Sequence, residues 1–210
     1  MKTSRNPEKT RAHILAVAFR EIYQKGFQGA SINDIVAKTD VTKGAFFHYF
    51  ATKQDLGYAI VDEILSRMIM ERWITPLVAY KNPVQGILNR FKKIIESTPD
   101  ETVCFGCPLN NLIQEMSPVD PVFKEKLKAV TALWIDENET YLKKAQTLGY
   151  LKPEVDTRQL AEFVVMVEEA SFGLGKSLSN KKIHWNAYHS LRRYMMSLTP
   201  DSANLTMGWD

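Results

Sequence analysis

Within this 210-residue chain, Thr42, Lys43 and His48 place hydrogen-bond donors close together, Phe47 adds a planar ring, and Gly44 leaves the backbone bare between them. Donors at that spacing on one helix can meet phosphate oxygens and base edges in a DNA major groove. Ser31 is predicted at a helix start, where N–H groups and a hydroxyl can hold a phosphate. Glycine is unfavourable in a helix by about 1 kcal/mol relative to alanine. Either a close backbone approach to DNA or close packing on another helix would explain Gly44.

Other chemistry is thinner. Cys104-Phe105-Gly106-Cys107 has a metal or redox spacing, but zinc needs four ligands, or three and a water. There is no second cysteine pair, and His13, His48, His184 and His189 are scattered, so no metal and no cofactor is expected. Cys107 is either a reactive thiol at a helix start or a small buried apolar residue. Glu168 and Glu169 interrupt the apolar run Phe163–Val167. An acid there can meet a cationic or hydroxyl-bearing ligand, a solvated edge or a dimer hydrogen bond. No Ser/His/Asp order, usefully paired carboxylates or phosphate-binding glycine loop is present, so no enzyme is expected.

These residues need elements to position them. Ser31, Thr42 and Thr52 read as three successive N-caps, with Asp34 and Asp55 three residues after the first and last. They cut residues 31–56 into two short helices, a tight turn and the start of a third helix. Two short helices joined this way make a helix-turn-helix whose second member, Thr42 to about Tyr49, can enter a major groove. Phe46 and Phe50 are expected in the core beneath it.

Upstream, Pro7 and Gly26 bracket a predicted helix with Ile14, Leu15, Ala18, Phe19 and Ile22 on one face. Downstream, helical periods predict segments from Lys53 to about Ile74, ended by Thr75-Pro76, then 83–97, a short helix opening at Pro108, and 121–149, 156–179 and 185–198. The fold class is therefore all-α, with about nine helices. Residues 1–52 form the predicted reader domain and 53–210 the remaining bundle.

Charge follows that division. Residues 1–56 carry nine lysines and arginines against five acids, a net +4, within a chain total of +3. A basic N-terminal arm with Lys2 and Arg5 suits phosphate contact or idles in solvent. Apolar residues at 45% and charged residues at 24% are ordinary for a soluble protein. No apolar run approaches the ~20 residues of a membrane helix and no secretory leader is visible. No membrane association is expected, and the cytoplasm is the default location.

From about Thr10 to Leu56 the chain resembles the N-terminal domain of the TetR family of transcriptional regulators. The likeness is carried by Ile14, Leu15, Ala18, Phe19, Gly26-Phe27, Ser31-Ile32-Asp34-Ile35-Ala37, Val41-Thr42-Lys43-Gly44, Phe46 through Phe50, Lys53 and Leu56. It implies DNA contacts from Ser31, Thr42, Lys43, Gly44, Phe47, His48 and Lys53, the lysine on backbone phosphate. Phe47 departs from the family, which usually has a tyrosine there whose hydroxyl reaches a phosphate.

The resemblance further implies a repressor released from a palindromic double-stranded operator by a small-molecule inducer, apolar or amphipathic. The inducer would sit in the bundle, against Trp73, Phe91, Phe105, Leu109, Ile113, Trp134, Met166, Glu169 and Phe172, although each also suits a core role. The helix from Lys53 would link reader and sensor. A homodimer would form through the two C-terminal helices, about 156–198, with the small residues Ala170, Ser171, Gly173 and Gly175 at the contact. A thiol-based redox regulator acting through Cys104 or Cys107 is the alternative. Inducer, operator, regulated genes and the choice of repressor or activator are beyond the sequence.

Overall fold

The computed structural model describes residues 6–200. The arm residues Lys2 and Arg5 and the tail residue Trp209 lie outside that range. Among the described residues there are nine helices and no strand. They are α1 (Pro7–Lys25), α2 (Ile32–Ala37), α3 (Lys43–Tyr49), α4 (53–74), α5 (Pro83–Ser97), α6 (Pro108–Met116), α7 (Pro121–Thr147), α8 (Thr157–Leu178) and α9 (Lys182–Ser197). Short 3₁₀ turns occupy Thr75–Ala79 and Asp100–Phe105. None of these helices is long and apolar enough to cross a membrane.

The cap arithmetic holds at the reader. Ser31 Oγ accepts from Asp34 N–H at 3.0 Å, and Thr42 Oγ1 from Ala45 N–H at 3.2 Å. Thr52 and Asp55 exchange side-chain-to-backbone bonds at 3.0 Å each. Gly26 ends α1 at φ 79°, where a side chain would be strained.

α4 departs from a plain α-helix. Lys53–Ala59 and Ser66–Ile69 are α-helical, but Ile60–Leu65 and Met70–Ile74 widen into π turns. A wider turn rotates the side chains that follow it, so a strict i+4 stripe does not describe this helix. Thr75-Pro76 ends α4 without ending helical backbone. Pro76 occupies the first turn of the 3₁₀ segment, where its missing N–H costs nothing.

The chain packs as two compact units. One comprises Met1–Arg67 and Pro108–Val130, the other Met68–Cys107 and Thr131–Asp210. In the first, Ile14, Leu15, Ala18, Ile35, Phe46, Phe50 and Leu56 are buried, as helical spacing requires of the reader core. Gly57 lies beneath Phe27 and Phe123, where a Cβ would stand 2.4 Å from one ring and 2.5 Å from the other. Those rings meet edge-on at 4.9 Å.

In the second unit Trp73 packs on Phe91 and Trp134, with centroids 6.1 and 5.0 Å apart. Gly86 in α5 is a packing choice, because a Cβ there would press on Tyr80 at 3.1 Å. The small-residue stripe of α8 is divided. Ser171 and Gly175 are buried against His184 of α9, and a Cβ on Gly175 would lie 2.7 Å from that ring. Ala170 and Gly173 alone of the four are exposed. The expectation that the whole stripe serves a dimer contact is corrected to that extent, because α9 already consumes half of it.

Candidate nucleic-acid interface and sensing residues

α3 turns one face inward and leaves the other open. Phe46 is fully buried and Phe50 nearly so, while Thr42, Lys43, Gly44, Phe47 and His48 are exposed. Phe47 is 39% exposed and meets Phe46 edge-on at 5.5 Å. A Cβ on Gly44 would have no atom within 4 Å, which removes helix packing as the reason for that glycine. The first turn of α3 is thus open to a large surface approaching from outside.

Ion pairs brace α2 against α1. Glu21 is buried, and its carboxylate takes Lys38 on one oxygen and Lys25 on the other, the latter at 3.1 Å. Bonds from Lys38 and then Lys25 hold its pKa below the usual carboxylate range, outweighing desolvation. Lys25 also reaches Asp34 on α2 at 3.2 Å. None of this was legible in the charge balance, which counts Lys25 and Lys38 as available to DNA.

Lys53 is half-buried at the head of α4. Its ammonium donates to the Gln28 carbonyl at 3.3 Å and stands 4.8 Å from the centre of the Phe27 ring. Burial lowers its pKa, and the nearby Glu115 carboxylate opposes that shift. A single acceptor leaves other ammonium hydrogens for a phosphate.

The residues expected around an inducer are divided between the two units. Trp73, Phe91 and Trp134 form an aromatic cluster of the second unit, and Phe105 and Phe172 are half-buried in the same unit. Leu109 is buried and Ile113 half-buried on α6, which belongs to the first unit. Met166 is 59% exposed, so this chain alone does not make it a wall of an interior site. Its turn of α8 directs it to the surface, on a helix that also exposes Phe163, Leu174 and Leu178.

Polar groups collect along α8. Cys107 is buried and its thiol donates to Glu169 Oε1 at 3.1 Å, whereas Cys104 is exposed and donates to the Glu101 carbonyl at 3.3 Å. Gly106, at φ 69°, lets this corner approach α8, since a Cβ would lie 3.1 Å from Lys176 Cδ. Glu168 is 1% exposed, and its Oε2 meets no hydrogen-bond donor of the described residues. Desolvation, then repulsion from Glu169, raises its pKa well above the carboxylate range. Three residues on, Ser171 bonds back to the Glu168 carbonyl at 2.8 Å and lies 3.3 Å from His184 Nδ1. Burial lowers the His184 pKa, with Lys181 acting in the same sense. Among the described residues no group of three metal-ligating side chains forms.

Comparison with known proteins agrees with this geometry. Residues 14–60 match the family described as bacterial regulatory proteins, tetR family, and residues 83–185 match the tetracyclin repressor-like C-terminal domain. The chain is 26% identical over 157 residues to the HTH-type transcriptional repressor DhaR of Mycobacterium sp. strain GP1, covering 74% of this chain and 76% of that one. It is 26% identical over 161 residues to the transcriptional regulator AcuR of Cereibacter sphaeroides, covering 74% and 72%. Its fold superposes on a TetR transcriptional regulator from Chloroflexus aurantiacus with a TM-score of 0.81 at 28% identity, covering 91% of this chain and 96% of that one.

Proposed function

Because this chain belongs to the TetR family and is a DNA-binding transcriptional regulator, we propose that it is a dimeric repressor. A small molecule releases it from a palindromic operator. The observation that carries the reading is the exposed face of α3, with Thr42 and Lys43 beside an unfilled Gly44 in the first turn and His48 in the last, over a buried Phe46. Residues 1–52 act as reader in this scheme and 53–210 as sensor and dimer module. Two recognition helices then sit about 34–36 Å apart, or a multiple of it, on DNA. Inducer binding works by differential affinity for the operator-fitting and non-fitting states.

Ser31 and Lys53 hold backbone phosphates in this scheme, and the first turn of α3 reads bases. Lys53→Ala is expected to weaken binding to all duplexes alike and to reduce the slope of log K against log salt by about 1. Lys43→Ala is expected to change base preference instead. Anisotropy titrations against a duplex panel at several salt concentrations measure both. Identical selectivity profiles for the two variants would count against the assignment of α3. A gel shift with DNA upstream of the gene tests the whole reading, and folded dimer that retards no duplex at low salt would end it.

Phe47 supplies no hydroxyl, so anchoring falls on Ser31, Thr42, His48 and Lys53. Phe47→Tyr is expected to tighten DNA binding about threefold to tenfold, the net value of one typical hydrogen bond. Stability should change by less than about 0.5 kcal/mol at so exposed a position. A clear loss of affinity would mean that the ring edge itself makes an apolar contact.

For the dimer, the exposed Phe163, Met166, Leu174 and Leu178 on α8 and Tyr194 on α9 supply apolar area. Met166 fits better there than in a ligand wall. For the inducer, an amphipathic compound with apolar contacts to the Trp73 and Trp134 region and a hydroxyl or amine for the α8 carboxylates suits the residues present. The thiol alternative rests on Cys104, which is exposed, and on Cys107 beside Glu169. A Cys104→Ser, Cys107→Ser double variant whose DNA release by oxidants matches the parent removes that alternative.

A further inference from the structure

Glu115 lies one residue from the end of α6, far in sequence from the reader. Its Oε2 accepts the Phe27 N–H and its Oε1 the Gln28 N–H, both at 2.8 Å. These amides belong to the turn that follows Gly26 and leads to the Ser31 cap. Gly26 makes room for the carboxylate, since a Cβ there would stand 3.1 Å from Glu115 Oε2. Lys53 contacts the same two residues, through the Gln28 carbonyl and the Phe27 ring.

We propose that Glu115 is a positioning residue for DNA binding, holding the turn at Phe27 and Gln28 so that Lys53 and Ser31 meet phosphates together. The proposal rests on the DNA-binding reading above. Two charge-assisted bonds to adjacent backbone amides constrain the turn more tightly than surface packing would. The nearby negative charge also opposes the desolvation that lowers the pKa of the half-buried Lys53 ammonium. Glu115 sits on the helix that begins directly after the Gly106-Cys107 corner.

Plain electrostatics and positioning predict opposite signs for one variant. Glu115→Gln removes a negative charge near a polyanion site, which by Coulomb attraction alone tightens binding. Positioning predicts the reverse, because an amide offers one acceptor oxygen in place of two and puts N–H against N–H. The test is fluorescence anisotropy with a duplex selected by the parent protein from a random-sequence pool, across a salt series. Glu115→Gln should bind about tenfold more weakly, and Lys53→Ala should cost less in that background than in the parent. Hydrogen exchange at Phe27 and Gln28 should speed up while the buried Ile35 amide keeps its protection.

If Glu115→Gln melts below the assay temperature, Glu115→Asp carries the comparison. It keeps the charge and shortens the reach, so positioning predicts weaker binding and electrostatics predicts none. Affinity equal to or above the parent for the folded variant overturns the proposal while leaving DNA binding intact. A parent that selects no duplex overturns both.

Discussion

Gly44→Ala is expected to yield a protein that is more stable and a poorer DNA binder. Glycine in a helix costs about 0.5–1 kcal/mol relative to alanine, through the backbone entropy it loses on folding. Nothing lies within 4 Å of the position a Cβ would take, and Gly44 is not among the residues with positive φ. The gain therefore meets no packing or strain penalty, and the melting temperature should rise by a few degrees. The same methyl occupies the space through which the first turn of α3 would approach DNA. Affinity for a selected duplex should fall about tenfold, as expected when one close contact near 1.4 kcal/mol is lost. Thermal melts and anisotropy titrations on the same preparation measure both effects. A more stable variant with unchanged affinity would mean that the DNA backbone does not come near α3 at this turn.

Glu168 should make stability fall as pH rises, the reverse of the common pattern for carboxylates. Its pKa is raised in the folded state, first by desolvation and then by Glu169. In the unfolded chain it titrates near the ordinary value of 4.5. Between those two pKa values the folded state binds more protons than the unfolded state. By linkage, stability is then full below about pH 4.5 and is lost upward at about 1.4 kcal/mol per pH unit until the folded acid ionises. Glu168→Gln keeps the shape, cannot ionise, and should flatten this limb. Urea unfolding from pH 5 to pH 9 should show the variant gaining on the parent as pH increases. Glu21, whose pKa is depressed by Lys38 and Lys25, contributes the opposite slope, lost as pH falls below the ordinary carboxylate range. Parallel profiles for parent and Glu168→Gln would mean that Glu168 is ionised in the fold and paired. An amphipathic amine or alcohol that binds at this acid should lift the parent profile at high pH and leave the variant unmoved.

Local rules were enough for much of the fold. The caps at Ser31, Thr42 and Thr52 bind the backbone groups that a capping pattern specifies, because such bonds join residues two or three apart. Pro7 and Gly26 bound α1, and Asn82 with Pro83 opens α5, on equally local grounds. Apolar periodicity placed Phe46 and Phe50 inside and left Phe47 and His48 outside. The same rules miss wherever the cause is distant. A π turn in α4 depends on what each side chain must pack against. Gly57 and Gly86 stand inside helices for reasons that only Phe27, Phe123 and Tyr80 beside them supply. Met166 has the polarity of a ligand wall but the direction of a surface residue.

Along α3, composition and order were sufficient to name Thr42, Lys43, Gly44, Phe47 and His48, since one short helix carries them all and its N-cap sets its start. They could not say which basic residues are spoken for. Lys25 and Lys38 count as positive charge in the sequence, yet both neutralise the buried Glu21. They could not say why Gly44 is glycine, and only the empty space around it decides against helix packing. Nor could spacing join Glu115 to Phe27 and Gln28, 88 and 87 residues away. A carboxylate that satisfies two turn amides announces itself only when the chain has closed that long loop, because the bond is made by position and not by period.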